Sequence, residues 1–216
     1  MQSSGHKNCE GLLPQGSELL YAIIKVVHAG IANPFVDISF VFLDREGIVN
    51  RKPSEGSYIT SWQRFEILPG VEQAIARLNH SGRTLILITN QRGIALGHMT
   101  HADLDDIHQR LRDHLAQHGA HLDAIYACPH DVGKCRCRKP DTGLFEQAFA
   151  DFPAARPHNS VMIGDSLSDI EAGTRMGMAT IFVPGDPAHQ KPGADRATHL
   201  ATATASSLPD CVDRYL

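Results

Sequence analysis

Five short apolar runs constrain this chain more than any other feature: ISFVFL at Ile38–Leu43, LILI at Leu85–Ile88, LDAIYA at Leu122–Ala127, SVMIG at Ser160–Gly164 and ATIFV at Ala179–Val183. A strand with one face in water alternates apolar and polar residues, whereas continuous β-rich runs suit strands buried on both faces. Between the runs the period changes. Val71–Leu78 spaces its apolar residues three and four apart behind Pro69-Gly70. Leu104, Ile107, Leu111 and Leu115 form one stripe within His101–His118, with Thr100 as N-cap, and Gly143–Phe152 and Asp169–Met176 supply two more helices. Strands alternating with helices imply βαβ crossovers, hence an α/β fold with a Rossmann-like parallel sheet covered by helices on both faces.

Composition bounds the rest. The chain has 216 residues, 42% of them hydrophobic, which is enough to bury a substantial single core. No stretch approaches the roughly 18 apolar residues of a membrane span. A net charge of −4 argues against a general nucleic-acid binder. A cytoplasmic protein with no membrane or nucleic-acid partner is expected. Residues 1–37 read as an N-terminal extension. Within it, LLYAIIKVVHAGIA (Leu19–Ala32) is interrupted by Lys25 and His28 and preceded by GLLPQGSE, which favours a short amphipathic helix over a secretory signal. The regular pattern covers 38–192. Residues 193–216 turn Ala/Thr/Ser-rich and read as a loosely packed tail, with Val212–Leu216 docking back.

In a parallel sheet, ligands bind beyond the carboxyl ends of the strands. There the sequence places Asp44-Arg45-Glu46-Gly47, Thr89-Asn90-Gln91 and Gly164-Asp165-Ser166, the last followed by Asp169, while Arg138-Lys139-Pro140 follows a cysteine-rich loop. Carboxylates for a cation, a hydroxyl and amide for an oxyanion and a lysine to balance charge make a phosphoryl-transfer constellation. Helix capping would explain one aspartate but not the set. In the loop, Cys128, His130, Cys135 and Cys137 offer three sulfurs and one nitrogen, a donor set that suits a closed, structural Zn²⁺ site; buried or redox-active thiols are the alternative. His98, His101, His108, His114, His118 and His121 read as a solvated helix face. Of these, His114 and His118 stand four apart, with no third ligand evident in the sequence.

The order FLDREG, ITNQRG, CRKP and IGDSLSD resembles the haloacid-dehalogenase (HAD) superfamily of aspartyl-phosphate phosphatases. Within it the sequence is similar to the D-glycero-D-manno-heptose 1,7-bisphosphate phosphatase and histidinol-phosphate phosphatase group, over roughly residues 38–192. The resemblance implies Asp44 as nucleophile and Mg²⁺ held by Asp44, the backbone carbonyl of Glu46 and Asp165. It implies phosphate binding by Thr89 and the Asn90 backbone, charge balance by Lys139, and Asp169 as a partner of metal or lysine. Similar loops in the family bind zinc before the Arg-Lys-Pro motif.

One position departs from the pattern. Glu46 stands where the family usually has the acid/base aspartate, so the resemblance leaves open a re-tuned phosphatase or a catalytically weakened phosphosugar-binding descendant. The intervals Asp44–Thr89 and Asn90–Cys128 are too short for a large cap domain, so an open site for a small phosphorylated metabolite is expected. Arg45, Arg92 and Arg138 are candidate substrate contacts that could clamp a second phosphate. That favours a sugar bisphosphate over a monophosphate, and the resemblance implies heptose 1,7-bisphosphate losing its 7-phosphate. Histidinol phosphate is the alternative, disfavoured because no carboxylate pair for its amine is evident. A monomer is expected.

Overall fold

The computed structural model describes residues 33–54, 56–185 and 192–216. The helix expected at Leu19–Ala32 lies outside the described residues. A compact unit runs from Phe35 to Leu216.

Six strands form one sheet: β1 Phe40–Leu43, β2 Thr84–Asn90, β3 Ala124–Cys128, β4 Ser160–Gly164, β5 Ala179–Phe182 and β6 Ala203–Thr204. Their order is β3-β2-β1-β4-β5-β6 and every pairing is parallel. The chain winds outward from β1 on one side, then returns to lay β4 against the other side of β1. This switch point opens a crevice between the ends of β1 and β4, the place where open parallel sheets bind ligands. Leu43 is level with Ile163, so Asp44 and Asp165 leave the sheet next to each other.

The two-residue period of the strands divides the core. Val41, Leu43, Leu85, Leu87, Val161 and Ile163 face one layer, while Phe40, Phe42, Ile86, Ile88 and Met162 face the other. On the first side pack helix α1 (Val71–His80), through Ile75 and Leu78, and α2 (His101–Gln117), through the stripe Leu104, Ile107, Leu111 and Leu115. On the second pack α3 (Gly143–Asp151), through Phe145 and Ala148, and α4 (Leu167–Arg175), through Ala172. Thr100 begins α2 as expected: its Oγ1 accepts from the Asp103 amide at 3.1 Å while the Asp103 carboxylate accepts from the Thr100 amide at 2.8 Å.

The carboxyl-terminal segment differs from the loose tail expected of residues 193–216. It forms α5 (Ala194–Leu200), the edge strand β6 and α6 (Leu208–Tyr215). Leu208, Cys211 and Val212 are buried in the first core layer. Thr180 and Thr202 exchange amide-to-hydroxyl bonds of 3.0 and 3.1 Å, tying β5 to the chain just before β6. The polar composition concealed a short amphipathic helix whose apolar positions recur at 208, 211, 212 and 215. Among the described residues, the chain between β1 and α1 holds one 3-10 turn (Trp62–Arg64) and no cap domain, and no helix is long and apolar enough to cross a membrane.

Candidate active site

Asp44, Asp165 and Asp169 are all buried, and each offers a carboxylate oxygen within 4.8 Å of the others. Three carboxylates this close repel unless cations stand among them. One cation is Lys139. Its Nζ donates to Asp44 Oδ1 at 2.7 Å and to the Ile88 carbonyl at 2.7 Å, and lies 2.5 Å from Asp169 Oδ1. All three ammonium donors are thereby used. Burial opposes the charge, but Asp169 and Asp44 outweigh it and push the Lys139 pKa up to about 12. The other oxygen of Asp169 accepts from the Ser166 amide at 3.0 Å and hydroxyl at 2.6 Å, so the N-terminal turn of α4 fixes the carboxylate that fixes the lysine.

A second cation is Lys52, whose Nζ lies 2.5 Å from Asp165 Oδ2. Asp165 Oδ1 is buried and has no hydrogen-bond partner. Burial, then Asp44 and Asp169, push the Asp165 pKa up to about 7 despite Lys52. An orphaned carboxylate oxygen among crowded oxygen donors fits a hard divalent cation such as Mg²⁺. The backbone is shaped to the same cluster. Gly47 has φ +86°, and a Cβ there would sit 2.4 Å from Asp165 Oδ2; one on Gly164 would meet Asp169 Cβ at 2.2 Å.

Asn90 and Thr89 end β2 beside Lys139. The Asn90 side chain takes the Lys139 amide at 3.0 Å and donates to the Lys139 carbonyl at 3.1 Å, splinting the lysine's backbone. Thr89 is buried, its hydroxyl accepting from Gln91 Nε2 at 2.8 Å.

Arg45 does not reach out toward a substrate. Its side chain is 0% exposed, donates to Glu46 Oε1 at 2.8 Å, lies 3.5 Å from His108 Nε2 and stacks 5.6 Å over the Phe65 ring. The Val49 and Asn50 amides both bond the Arg45 carbonyl, at 2.8 and 3.0 Å. Around that turn the guanidinium points inward while Glu46 stays partly open. His108 is likewise buried rather than on the solvated face expected of it; burial, then Arg45 and Arg112, push its pKa down to about 3. Arg92 is drawn to Asp131 at 2.5 Å, next to the cysteine loop. Arg138 keeps a buried Nη1 with no partner.

Cys128, His130, Cys135 and Cys137 converge. Cys137 Sγ lies 3.1 Å from Cys128 and 3.3 Å from Cys135, Cys128 and Cys135 are 3.5 Å apart, and His130 Nδ1 is 3.3 and 3.7 Å from Cys137 and Cys128. Tetrahedral zinc, at about 2.3 Å from sulfur and 2.1 Å from nitrogen, implies edges of roughly 3.5–3.8 Å, close to those observed. None of the three cysteines is in a disulfide. Burial and the neighbouring thiols push Cys137 far up, a strain that a shared cation would relieve. Cys128 ends β3 in register with Asn90, so the loop and the lysine's splint share one strand pair. Lys52 escaped the sequence reading because it sits in a loop with no periodicity to mark it.

The HAD-hydrolase-like family model matches residues 136–211. The D-glycero-beta-D-manno-heptose-1,7-bisphosphate 7-phosphatase of Vibrio cholerae is 35% identical over 82% of this chain and 95% of its own length. That decides the family. The chain is a HAD-like phosphatase. A Mycobacterium tuberculosis relative of the HAD-like phosphatases, the D-glycero-alpha-D-manno-heptose-1,7-bisphosphate 7-phosphatase, is 39% identical over 61% of this chain and 69% of its own. Among solved structures, the D,D-heptose 1,7-bisphosphate phosphatase from B. bronchiseptica, crystallised with magnesium and phosphate, superposes with a TM-score of 0.71 at 30% identity, covering 82% of this chain and 97% of that one.

Proposed function

We propose that this HAD-like phosphatase removes the 7-phosphate of a D-glycero-D-manno-heptose 1,7-bisphosphate through an aspartyl-phosphate intermediate. The observation that carries the chemistry is the buried Lys139, bonded to Asp44 and Asp169 with Asp165 alongside. The substrate rests on the relatives' own activities, shared at 35–39% identity.

Asp44 Oδ attacks phosphorus, the bond to the sugar oxygen breaks, and Glu46 gives that oxygen its proton. Glu46 then takes a proton from water, which attacks the acyl phosphate and frees Asp44. Lys139 stabilises Asp44 as an anion and faces the charge that builds on the phosphoryl group. Thr89 and the Asn90 backbone bind phosphate oxygens. Asp44, the Glu46 carbonyl and Asp165 would hold Mg²⁺, which lets one anion approach another. Arg138, with its unpartnered buried nitrogen, and the half-buried Arg92 are the candidates for the second phosphate; Arg45 instead positions Glu46. Zn²⁺ on Cys128, His130, Cys135 and Cys137 would hold the loop that delivers Arg138 and Lys139. We read the protein as a cytoplasmic monomer.

Phosphate release with Mg²⁺ on both anomers of the heptose bisphosphate, fructose 1,6-bisphosphate and histidinol phosphate tests this, with Asp44→Asn as blank. A preference for the heptose that vanishes in the blank is expected. Turnover of histidinol phosphate alone would replace the substrate while keeping the mechanism.

A further inference from the structure

The paired histidines of α2, which lack a third ligand in the sequence, gain one in the fold. His114 lies in the last turn of α2 and His118 caps it, four residues apart and so on one face. Glu72, in the first turn of α1, packs against them: its Oε1 is 3.0 Å from His114 Nε2. The His114 and His118 rings are 4.5 Å apart, and one ligand atom from each of the three residues lies within 4.8 Å of the others. Trp62 walls one side, its ring 6.0 Å from that of His114.

We propose that Glu72, His114 and His118 form a second metal site for a borderline divalent ion, with zinc as its probe. Two imidazoles and one carboxylate suit zinc, nickel or copper rather than the hard cations that prefer oxygen alone. The 3.0 Å separation of Glu72 and His114 is near the roughly 3.3 Å edge of a tetrahedron with bonds of about 2.0–2.1 Å. His118 already holds the tautomer that ligation through Nε2 needs. Its Nδ1 is 2.8 Å from the His114 carbonyl, so it carries the proton and leaves the Nε2 lone pair free, as in metal-binding histidines held by a backbone acceptor. His118 is the most exposed of the three, so its closure onto an ion costs a side-chain rotation and no core rearrangement. The site contains no thiolate and shares no residue with the cysteine cluster or the catalytic carboxylates. Filling it would pin the start of α1 to the end of α2, two helices that cover the same face of the sheet.

The test compares wild type with His118→Ala, each equilibrated with micromolar zinc at neutral pH in the presence of Mg²⁺, and measures bound zinc per chain. Wild type is expected to hold one equivalent more than the variant, and Glu72→Gln is expected to weaken that equivalent by on the order of tenfold or more. The readout is the difference between proteins, so it does not depend on how full the cysteine cluster is. Phosphatase activity should be unchanged in both variants, since neither residue belongs to the machinery. Cobalt in place of zinc gives an independent signature: the equivalent lost in His118→Ala should carry no thiolate charge-transfer absorption. Equal zinc in wild type and His118→Ala, or a difference that emerges only at millimolar zinc, would overturn the proposal and leave a histidine–glutamate hydrogen bond beside tilted rings.

Discussion

At the residue scale, the proposed acid/base residue, Glu46, concentrates what is particular to this chain. Glu46 is one methylene longer than the aspartate expected there, and misplacing a catalytic group by about 1 Å can cost on the order of 10²-fold. The bond from buried Arg45, at 2.8 Å, holds the longer side chain in one place. Glu46→Asp is therefore expected to lower turnover by about tenfold or more, because the shorter carboxylate leaves that guanidinium without its partner. Steady-state kcat on the preferred substrate checks this; a large gain in the variant would mean that the wild type is a weakened enzyme.

His108 behind Arg45 gives a second expectation. The unfolded chain's histidine takes up a proton near pH 6.5, whereas the buried one does so only near pH 3. Between those values the unfolded state binds the extra proton, so stability falls as pH drops through that window, by up to about 1.4 kcal/mol per unit, and is unaffected above it. Denaturant unfolding of His108→Gln should show a shallower loss of stability between pH 6.5 and 4 than wild type; an unchanged slope would contradict the assignment. His108 was legible by position, being four residues after Leu104 on the buried stripe. Its polar identity read as solvent-facing because the buried Arg45 it meets is 63 residues away in sequence.

At the element scale, the five longer strands announced themselves, whereas the edge strand β6 and the loops did not. Runs this short, rich in β-branched residues and bounded by turn residues, favour strands over helices, so Asp44 and Asp165 fall at strand ends from the sequence alone. Lys52 comes from a connection whose path is set by tertiary contacts alone, and α6 is too short for its four apolar positions to stand out against an Ala/Thr/Ser-rich background. The cysteine loop was legible because its chemistry is local: four candidate ligands within ten residues. Its consequence is not local, since Arg138 and Lys139 follow directly. Cys137→Ser is expected to lose bound zinc, lower the melting temperature and reduce activity together. Full activity in a zinc-free variant would separate the loop from the site.

At the scale of the whole molecule, the order β3-β2-β1-β4-β5-β6 explains why residues more than a hundred positions apart share one crevice. The sheet reverses at β1, and the carboxylates on either side of that reversal need a lysine between them to coexist. Without a cap domain among the described residues, the proposed function assigns selectivity to loops and to arginines such as Arg138. The Mycobacterium tuberculosis relative is named for the alpha anomer and the Vibrio cholerae one for the beta, so under the proposed function the anomer preferred is a question for those loops.

The central claim is that Asp44 itself takes the phosphoryl group. Quenching the enzyme in turnover and reducing it with borohydride would convert an aspartyl phosphate to homoserine, which peptide mass spectrometry locates. Homoserine at position 44 in wild type, absent from Asp44→Asn, is the predicted result. Steady turnover with no reduced residue at 44, or with the mark on another carboxylate, would contradict it.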